Sequence, residues 1–423
     1  MALDAVRKGP PVTDQIETDS RYSWFRLCVT VLVAVIANAG MWAVIVIMPA
    51  VEAEFGASRA AASMPYTLNM IGFALGNFAI GSALDRFGVT LSLILAALGI
   101  VAGLVLAILS HSIVVLSIAQ LIVGLASAVG FGPLIADISH WFVRRRGIAV
   151  ALVASGNYLS GAIWPMVLAG VLASDGWRAA YTVLAVATFA GVIPLALLLR
   201  RSTSDVTREA AQMASTLNAQ SSGVSPRVLA YLLGFAGISC CVAMSMPQVH
   251  IVSLCVDMGF GPAAGAEMLS LMLLGGVGSR IVSGVLADRL GGVRTLLIGS
   301  TLQCLALFLY LPAGGLVSLY IVSLVFGLSQ GGIVPSYALI VREYMPAKEA
   351  GARVGFVLMA TILGMALGGW MSGQIYVWTG SYEWAFINGI IWNGFNIAIM
   401  LWLLLRSKPR APRPISAPAP LPA

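Results

Sequence analysis

Charge is scarce in this chain. Of its 423 residues only 10% are charged, whereas soluble domains carry about 25%. Histidine occurs three times and cysteine five times, and none of the cysteines stands in a C-x-x-C pair or at a histidine-linked spacing that would hold a metal. A P-loop and an H-E-x-x-H sequence are also lacking. These absences exclude a large soluble core and argue against an ATP-driven pump, a metal site, a cofactor and an enzyme.

Apolar residues make up 59% of the chain and are grouped in long runs. Twelve runs approach the ~20 residues that a membrane-spanning helix needs. They lie at 25–48, 64–84, 91–110, 113–137, 147–172, 178–200, 228–252, 266–287, 293–312, 316–340, 352–376 and 384–405. We expect an all-α integral membrane protein with twelve transmembrane helices in two six-helix bundles.

Polar segments divide these runs into domains. The expected order is a cytoplasmic N-terminal segment (1–24), an N-terminal bundle (25–200), a cytoplasmic linker (201–227), a C-terminal bundle (228–405) and a disordered, Pro/Ala-rich tail (406–423). Lys and Arg cluster in alternate loops, and the other loops contain only Arg59 and Arg178. Because positively charged loops stay in the cytoplasm, we expect both termini there and a multi-pass protein of the cell (inner) membrane. No cleavable signal peptide is expected.

One arginine interrupts a run that is otherwise uncharged. Arg280 lies within 268–286, 8 residues before Asp288 (288 − 280). At ~1.5 Å per residue this is roughly 12 Å, close to the middle of a ~30 Å hydrocarbon core. A cation there costs at least ~2.5 kcal/mol and requires an internal partner or an anionic ligand. The acidic residues available for pairing, Asp137 and Glu267, are expected near the membrane surfaces. We therefore favour a bound carboxylate, which the fork of arginine fits.

A short motif occurs twice. Gly81-x-x-x-Asp85-Arg86-x-Gly88 follows the second run, and Gly284-x-x-x-Asp288-Arg289-x-Gly291 follows the eighth. The two aspartates are 203 residues apart (288 − 85), close to half the chain. Two similar bundles around a central site are typical of secondary transporters.

The duplicated motif and the six-plus-six layout resemble the major facilitator superfamily over essentially the whole chain. The resemblance implies two bundles that expose a central site alternately to the two sides. It also implies gating or structural roles at the cytoplasmic face for Gly81, Asp85, Arg86, Gly88, Asp137, Gly284, Asp288 and Arg289.

A narrower resemblance involves three stretches. His140 to Gly156, Asp175 to Tyr181 and Arg280 to Gly284 are similar to the corresponding segments of monocarboxylate transporters and oxalate/formate antiporters. This resemblance implies that Arg280 binds a substrate carboxylate.

The chain departs from that group at three places. Gly276 stands where many monocarboxylate transporters have Asp, Trp42 is near the place of their Lys, and the eleventh run (354–378) lacks the Lys of oxalate carriers. A single buried cation favours a monoanion, because a dianion would keep an uncompensated charge in a low dielectric.

Other polar or amphipathic side chains are expected at membrane depth. Each either contacts the substrate or makes an interhelical hydrogen bond. Besides Arg280, the predicted substrate-binding residues are Asn38, Trp42, Tyr66, Asn69, Asn157, Tyr158 and Gln330. His250 follows the helix-breaking Pro247 near the outer end of the seventh run. Because histidine titrates near neutral pH, His250 is the candidate proton site, with a hydrogen-bonded interfacial histidine as the alternative.

These features predict a secondary active transporter that moves a small organic monoanion, a monocarboxylate, by proton symport or by exchange for another anion. The first alternative is efflux of amphipathic compounds through an aromatic and Met-rich lining that includes Trp42, Trp164, Met359 and Trp370. The second is a membrane sensor that binds a ligand without moving it, which the lack of a predicted soluble domain disfavours. We expect a monomer in the lipid bilayer without nucleic-acid partners.

Overall fold

The computed structural model describes residues 19–142, 145–200, 224–345 and 347–406, without the side chains at 78, 81–85, 146 and 347–351. The described chain forms α-helices and one short 3-10 turn, with no strand in these ranges, so the predicted all-α fold is confirmed. The first half contains α1 Arg21–Ala37, α2 Ala39–Val46, α3 Met48–Phe55, α4 Arg59–Ile108, α5 Ile113–Ser127, α6 Gly132–Ile138 and α7 Arg146–Leu198. The second half contains α8 Pro226–Asp257, α9 Gly261–Leu290, α10 Gly292–Tyr310, α11 Leu316–Gln330, α12 Ile333–Tyr344, α13 Ala347–Thr379 and α14 Glu383–Arg406.

Ten helical stretches among the described residues are long and apolar enough to cross a membrane. Large apolar side chains also cover the outside of the molecule, for example Val317 (70% exposed), Trp378 (75%) and Leu405 (78%). Water makes such a surface unfavourable, whereas the hydrocarbon of a bilayer accommodates it.

The duplicated motif ends each time at a glycine with the same backbone conformation. Gly88 has φ 78° and ψ 169°, and Gly291 has φ 81° and ψ 168°. Glycine adopts such a positive φ readily because it has no Cβ. Four residues further on, the hydroxyls of Ser92 and Thr295 donate to the carbonyls of Gly88 and Gly291 at 2.8 and 2.9 Å. The two motifs therefore share a local structure as well as a sequence.

The repeat extends to a second pair of helices. The first residues of α5 and α11 are 203 positions apart (316 − 113), and so are their last residues (330 − 127). Both helices are interrupted at this point, by a 3-10 turn at Ala128–Gly130 and by Gly331–Gly332, before α6 and α12 continue. The same 203-residue spacing separates Gly88 from Gly291 (291 − 88). Its recurrence indicates two structurally repeated halves.

Two helices are longer than a bilayer is thick. α4 has 50 residues and α7 has 53, and either would reach roughly 75 Å if it were straight, against a ~30 Å core. Single glycines break them, Gly88 in α4 and Gly176 (φ 80°, ψ 178°) in α7. The sequence predicted separate helices on both sides of each glycine, with short connections at 85–90 and 173–177. The prediction of loops at these two places is wrong, because in the structure only one residue at each place, Gly88 or Gly176, is non-helical.

The ends of the predicted segments also differ from the structure. α1 begins at Arg21 rather than at 25, and α8 begins at Pro226, inside the predicted linker. The remainder of the predicted N-terminal segment, linker and tail (1–18, 201–223 and 407–423) lies outside the described residues.

The most extensive contacts between the two halves involve two pairs of helices. α4 packs against α13, and α7 packs against α9. Within the second half, a Cβ on Gly331 would lie 2.0 Å from the carbonyl oxygen of Gly276. This close approach places the junction between α11 and α12 beside Arg280 on α9.

Candidate functional site

A cavity of about 60 Å³ lies between the two halves. Seven of its fourteen lining residues come from each half. The first half contributes Met41, Trp42, Met70, Phe73, Phe131, Asn157 and Tyr158. The second half contributes Met244, Arg280, Val334, Leu358, Thr361, Ile362 and Met365. Among these fourteen residues Arg280 is the only one with a formal charge, and most of the others are apolar.

Arg280 is held by the backbones of both halves. Its Nε donates to the carbonyl of Gly331 at 3.1 Å, and its Nη1 donates to the carbonyl of Ala154, on α7, at 2.5 Å. The residue is only 6% exposed. Carbonyl groups carry dipoles and no net charge, so they solvate the guanidinium without neutralising it.

Tyr158 packs against the same guanidinium. Cζ of Arg280 lies 4.2 Å from the centroid of the Tyr158 ring, which is a cation–π contact. The ring also packs on Gly276, one helical turn before Arg280, because a Cβ there would lie 2.7 Å from two ring carbons. Position 276 therefore has no room for a side chain while Tyr158 occupies this place. This steric relation explains why position 276 is a glycine here, where many monocarboxylate transporters have Asp.

The acidic residues considered as partners of Arg280 are engaged elsewhere. Asp137 forms an ion pair with Arg26 at 2.9 Å, and Glu267 accepts a hydrogen bond from Tyr320. In the part of the chain that the structure describes, no carboxylate forms an ion pair with Arg280. The structural-pair alternative for Arg280 is therefore wrong for this conformation.

Asn157 and Trp42 form a polar contact at the cavity wall. Nε1 of Trp42 lies 2.9 Å from both the carbonyl oxygen and Oδ1 of Asn157. The Trp42 ring also stands edge-on to Tyr158, with the centroids 6.4 Å apart. These contacts place an indole, an amide and a phenol in the same wall as Arg280.

Comparison with known proteins decides the family. A model of the Major Facilitator Superfamily matches residues 30–352 and 257–423. The chain belongs to the Major Facilitator Superfamily. The first resemblance drawn from the duplicated motif is thereby confirmed.

Similar proteins within the superfamily are named as transporters rather than enzymes. The chain is 28% identical to monocarboxylate transporter 13 of Rattus norvegicus, over 75% of this chain and 74% of that protein. It is 21% identical to the agnestins efflux protein AgnL12 of Paecilomyces divaricatus, over 77% and 73%. It is 23% identical to an uncharacterized MFS-type transporter, YcxA, of Bacillus subtilis, over 91% and 96%. Family and helices together make this chain a multi-pass membrane transporter.

The structure of this superfamily member brings Trp42, Asn157, Tyr158 and Arg280 together at the cavity, and Asn38, Tyr66, Asn69 and Gln330 are outside its lining. Asn38 donates from Nδ2 to the carbonyls of Ala34 at 2.7 Å and of Gly130 at 3.2 Å. Asn69 donates to Gln120 at 2.7 Å. These amides join neighbouring helices, so the alternative of interhelical hydrogen bonding describes both better.

Gln330 and Tyr66 also contact other helices rather than the cavity. Gln330 accepts a hydrogen bond from Gln248 on α8 at 2.9 Å. The ring of Tyr66 packs on Gly369 of α13, where a Cβ would lie 2.9 Å from two ring carbons. Both residues are buried between helices and fill space next to the cavity, not its wall.

The apolar lining was missed from the sequence. Four methionines line the cavity, Met41, Met70, Met244 and Met365. On α13 the lining residues 358, 361, 362 and 365 fall at the i, i+3, i+4, i+7 spacing of one helix face. That periodicity was available as a signal, but it does not tell a cavity from lipid. Of the aromatic and Met set named for the efflux alternative, Trp42 lines the cavity, whereas Trp164, Met359 and Trp370 do not.

The duplicated motif lies away from the cavity, at the end of the molecule with Gly88 and Gly291, here called the motif end. Arg86, Asp288 and Arg289 are exposed there, and so is Gly284. The side chains of Gly81 and Asp85 lie outside the described residues. Asp137, for which the resemblance implied a gating or structural role at the same face, pairs with Arg26 of α1. A gating role for the motif stays a prediction.

His250 lies outside the cavity lining and is fully buried. It belongs to a polar cluster at the opposite end of α4, here called the Arg59 end. Arg59 and Gly88 are 29 residues apart (88 − 59) on α4, or about 44 Å along a straight helix. The sequence marked His250 as a candidate proton site but did not connect it with Arg59.

Proposed function

We propose that this protein is a secondary active transporter that moves a monocarboxylate across a membrane by alternating access. One observation carries the proposal: Arg280 is a buried cation at a cavity between two repeated halves, and no described carboxylate pairs with it. A substrate carboxylate would supply the missing negative charge and accept the parallel hydrogen bonds of a guanidinium.

The lining of the cavity favours a particular kind of anion. One cation balances one negative charge, so a second carboxylate would be left unpaired among apolar side chains at high cost. Methionine is flexible and polarizable and adapts to varied apolar shapes. We therefore infer a monoanion whose remaining body is largely apolar, with Asn157 and the Trp42 indole as the polar contacts beside it.

We further propose twelve spans with cytoplasmic termini in the cell membrane. Gly176 would divide the stretch Gly147–Leu198 into two spans, and the part of α4 before Gly88, which is not among the ten apolar stretches, would be the twelfth span. Lys and Arg concentrate in the loops of the motif end, which supports a cytoplasmic location for that end. The Arg59 end then faces outwards, and rocking of the halves about the cavity would open one end at a time.

Similarity to monocarboxylate transporter 13 supports the substrate class. The proposal is tested by uptake of labelled lactate, pyruvate, acetate and 4-methyl-2-oxopentanoate into proteoliposomes, with and without a trapped unlabelled carboxylate. We expect saturable uptake by the wild type and a loss of about 100-fold in Arg280→Lys, because lysine cannot present two parallel donors.

A matched control is Arg406→Lys, since Arg406 is an exposed arginine stacked on Trp402 at the end of α14. It should transport at the wild-type rate. Saturable uptake that is equally strong in Arg280→Lys would contradict the proposal.

Efflux of amphipathic compounds is the second candidate function. It is favoured by the four cavity methionines and by similarity to a protein named as an efflux protein. Under this alternative Arg280→Ala leaves transport of neutral amphipathic compounds intact, whereas under the proposed function those compounds are not transported at all.

A further inference from the structure

A continuous chain of polar contacts connects the buried His250 with two carboxylates at the Arg59 end. Nδ1 of His250 lies 3.3 Å from the hydroxyl of Tyr382, which lies 2.6 Å from Nη1 of Arg59. Arg59 in turn forms ion pairs with Asp257 at 2.9 Å and with Glu52 at 2.7 Å. On its other side, Nε2 of His250 lies 2.8 Å from the carbonyl oxygen of Gly369.

The chemistry of the partners assigns the protons. A guanidinium can only donate, so the Tyr382 oxygen accepts from Arg59 and its own hydrogen is free for Nδ1 of His250. A carbonyl can only accept, so Nε2 of His250 carries a hydrogen that it donates to Gly369. The closed cluster therefore fits the neutral Nε2–H tautomer of His250, in which Nδ1 accepts the hydrogen of Tyr382; a proton on Nδ1 would require that hydrogen to turn away.

The cluster also joins the two halves. Arg59 and Glu52 belong to α4 and α3 of the first half, and Asp257 is the last residue of α8 in the second half. The guanidinium lies 4.7 Å from the ring centroid of Tyr376 on α13. In the proposed alternating access, opening of the cavity at the Arg59 end separates these helices and therefore breaks the Arg59–Asp257 pair.

Three charged side chains belong to the cluster, and Arg59 is the one that shares the Tyr382 hydroxyl with His250. Arg59 provides one positive charge, and Glu52 and Asp257 provide two negative charges. Tyr376 and Tyr382 are the titratable groups facing the cluster from α13 and from the residue before α14. On α9, which also packs on α8, Glu267 bonds to Tyr320. α2 carries no ionisable side chain, and the acidic and basic residues of α12, Arg342 and Glu343, lie in its last turn.

We propose that His250 is the proton-binding site that couples transport to a proton gradient, by gaining a proton when the Arg59 cluster is open and losing it when the cluster closes. This inference rests on the proposed function. A proton on Nδ1 turns that nitrogen into a donor, so that the Tyr382 hydroxyl can no longer donate to it, and it places a second cation close to the guanidinium. Closure returns Tyr382 to Arg59 and expels the proton. Proton affinity thus differs between the two conformations, which is the condition for coupling.

The test compares net accumulation with exchange in proteoliposomes, using labelled lactate and 4-methyl-2-oxopentanoate and a trapped pH-sensitive dye. With an inward gradient of one pH unit, coupling of one proton to one monoanion accumulates substrate about 10-fold and acidifies the lumen, since one pH unit is tenfold in proton activity. Protein-free liposomes give the background from permeation of the uncharged acid.

The decisive variant is His250→Gln. Its amide can donate to Gly369 and accept from Tyr382, but it cannot take up a proton in this pH range. We expect accumulation to fall to the protein-free background and lumen acidification to disappear, while exchange at equal pH stays within about threefold of wild type. His111→Gln is the matched control, since His111 is exposed near a helix connection, and it should accumulate substrate like the wild type.

Tyr382→Phe keeps the ring and His250 but removes the hydroxyl that links the histidine to Arg59. Tyr382→Phe should still accumulate substrate, but the pH dependence of its uptake rate should be displaced from that of the wild type. If His250→Gln fails to fold, this pH profile is the measurement that tests the inference. Accumulation of about 10-fold in His250→Gln, or an unchanged pH profile in Tyr382→Phe, would overturn the inference.

The two proposals fail separately. Wild-type exchange without gradient-driven accumulation would refute proton coupling through His250 and leave monocarboxylate transport standing. Absence of both exchange and uptake in the wild type would refute the proposed function and the coupling with it.

Discussion

Two buried arginines lie in this protein in opposite surroundings. Arg59 is 7% exposed and Arg280 is 6% exposed, so water is nearly absent from both. Arg59 has two carboxylates, a phenol and two aromatic rings around it. Arg280 has two backbone carbonyls and one ring. The guanidinium of Arg59 thus faces two carboxylates, whereas that of Arg280 faces no described carboxylate.

The difference is the one expected between a contact that holds the protein together and a site that receives a ligand, which is the role proposed for Arg280. A buried cation next to carboxylates is neutralised within the fold, and its removal leaves the acids unpaired. A buried cation without a carboxylate keeps part of its desolvation cost until an anion arrives. Exposure alone cannot distinguish the two arginines, whereas the charge of the neighbours can.

Charge reversal at Arg59 should have the largest effect on uptake, and it tests whether Arg59 differs from Arg280 in having carboxylate partners. Arg59→Asp brings a third carboxylate to Glu52 and Asp257, and we expect uptake to fall about 100-fold because like-charge juxtaposition costs several kcal/mol. Adding Asp257→Arg should restore uptake to within roughly tenfold of wild type, because opposite charges again face each other across the halves. The measurement is initial uptake in proteoliposomes, corrected for the amount of reconstituted protein.

Charge reversal at Arg280, in the cavity, should not be compensated by a second charge reversal at an acidic residue. Arg280→Asp should also abolish uptake, but addition of Glu267→Arg should leave it abolished, since Glu267 is bonded to Tyr320 and not to Arg280. Recovery of uptake in that double variant would show that Arg280 has a carboxylate partner in another conformation, and the distinction between the two arginines would be lost.

The Tyr158 ring offers a smaller and sharper test of the cavity arginine. A desolvated cation–π contact contributes up to about 2 kcal/mol, and ~1.4 kcal/mol is tenfold in affinity. We expect Tyr158→Leu to raise KM about tenfold and Tyr158→Phe, which keeps the ring, to stay within about threefold. KM is read from uptake over a range of substrate concentrations. An effect of Phe as large as that of Leu would mean that the hydroxyl, not the ring, is what matters.

Asn38 should give the smallest effect, confined to stability. Its Nδ2 joins the carbonyls of Ala34 and Gly130, and loss of such bonds costs about 1–2 kcal/mol. We expect Asn38→Ala to lower the unfolding temperature in detergent by a few degrees, followed by tryptophan fluorescence, with KM within about twofold of wild type. A raised KM at an unchanged unfolding temperature would instead place Asn38 in the substrate site.

The features that could be predicted from the sequence are those whose signal lies within one short segment. Arg280 was identified because one cation inside an uncharged apolar run is costly wherever the helix packs. The repeat was found because two copies of one motif stand 203 residues apart, and the positive φ of Gly88 and Gly291 follows from the same glycine positions.

The partners of most polar residues could not be predicted. Asn69 bonds to Gln120, 51 residues away, and Arg59 bonds to Tyr382, 323 residues away. A single sequence does not show which helices meet, so an amide at membrane depth reads equally as a substrate contact or as an interhelical bond. The cavity methionines were missed because apolar residues facing a cavity and those facing lipid have the same pattern.

The equal division of the cavity between the halves has a thermodynamic consequence. Seven lining residues belong to each half, so neither half alone encloses the cavity. Under the proposed function, an anion bound there touches both halves and becomes part of their shared interface, so that its binding free energy adds to their cohesion by mass action. The transported molecule is then also a transient structural component, present while the two halves are closed around it and absent when they separate.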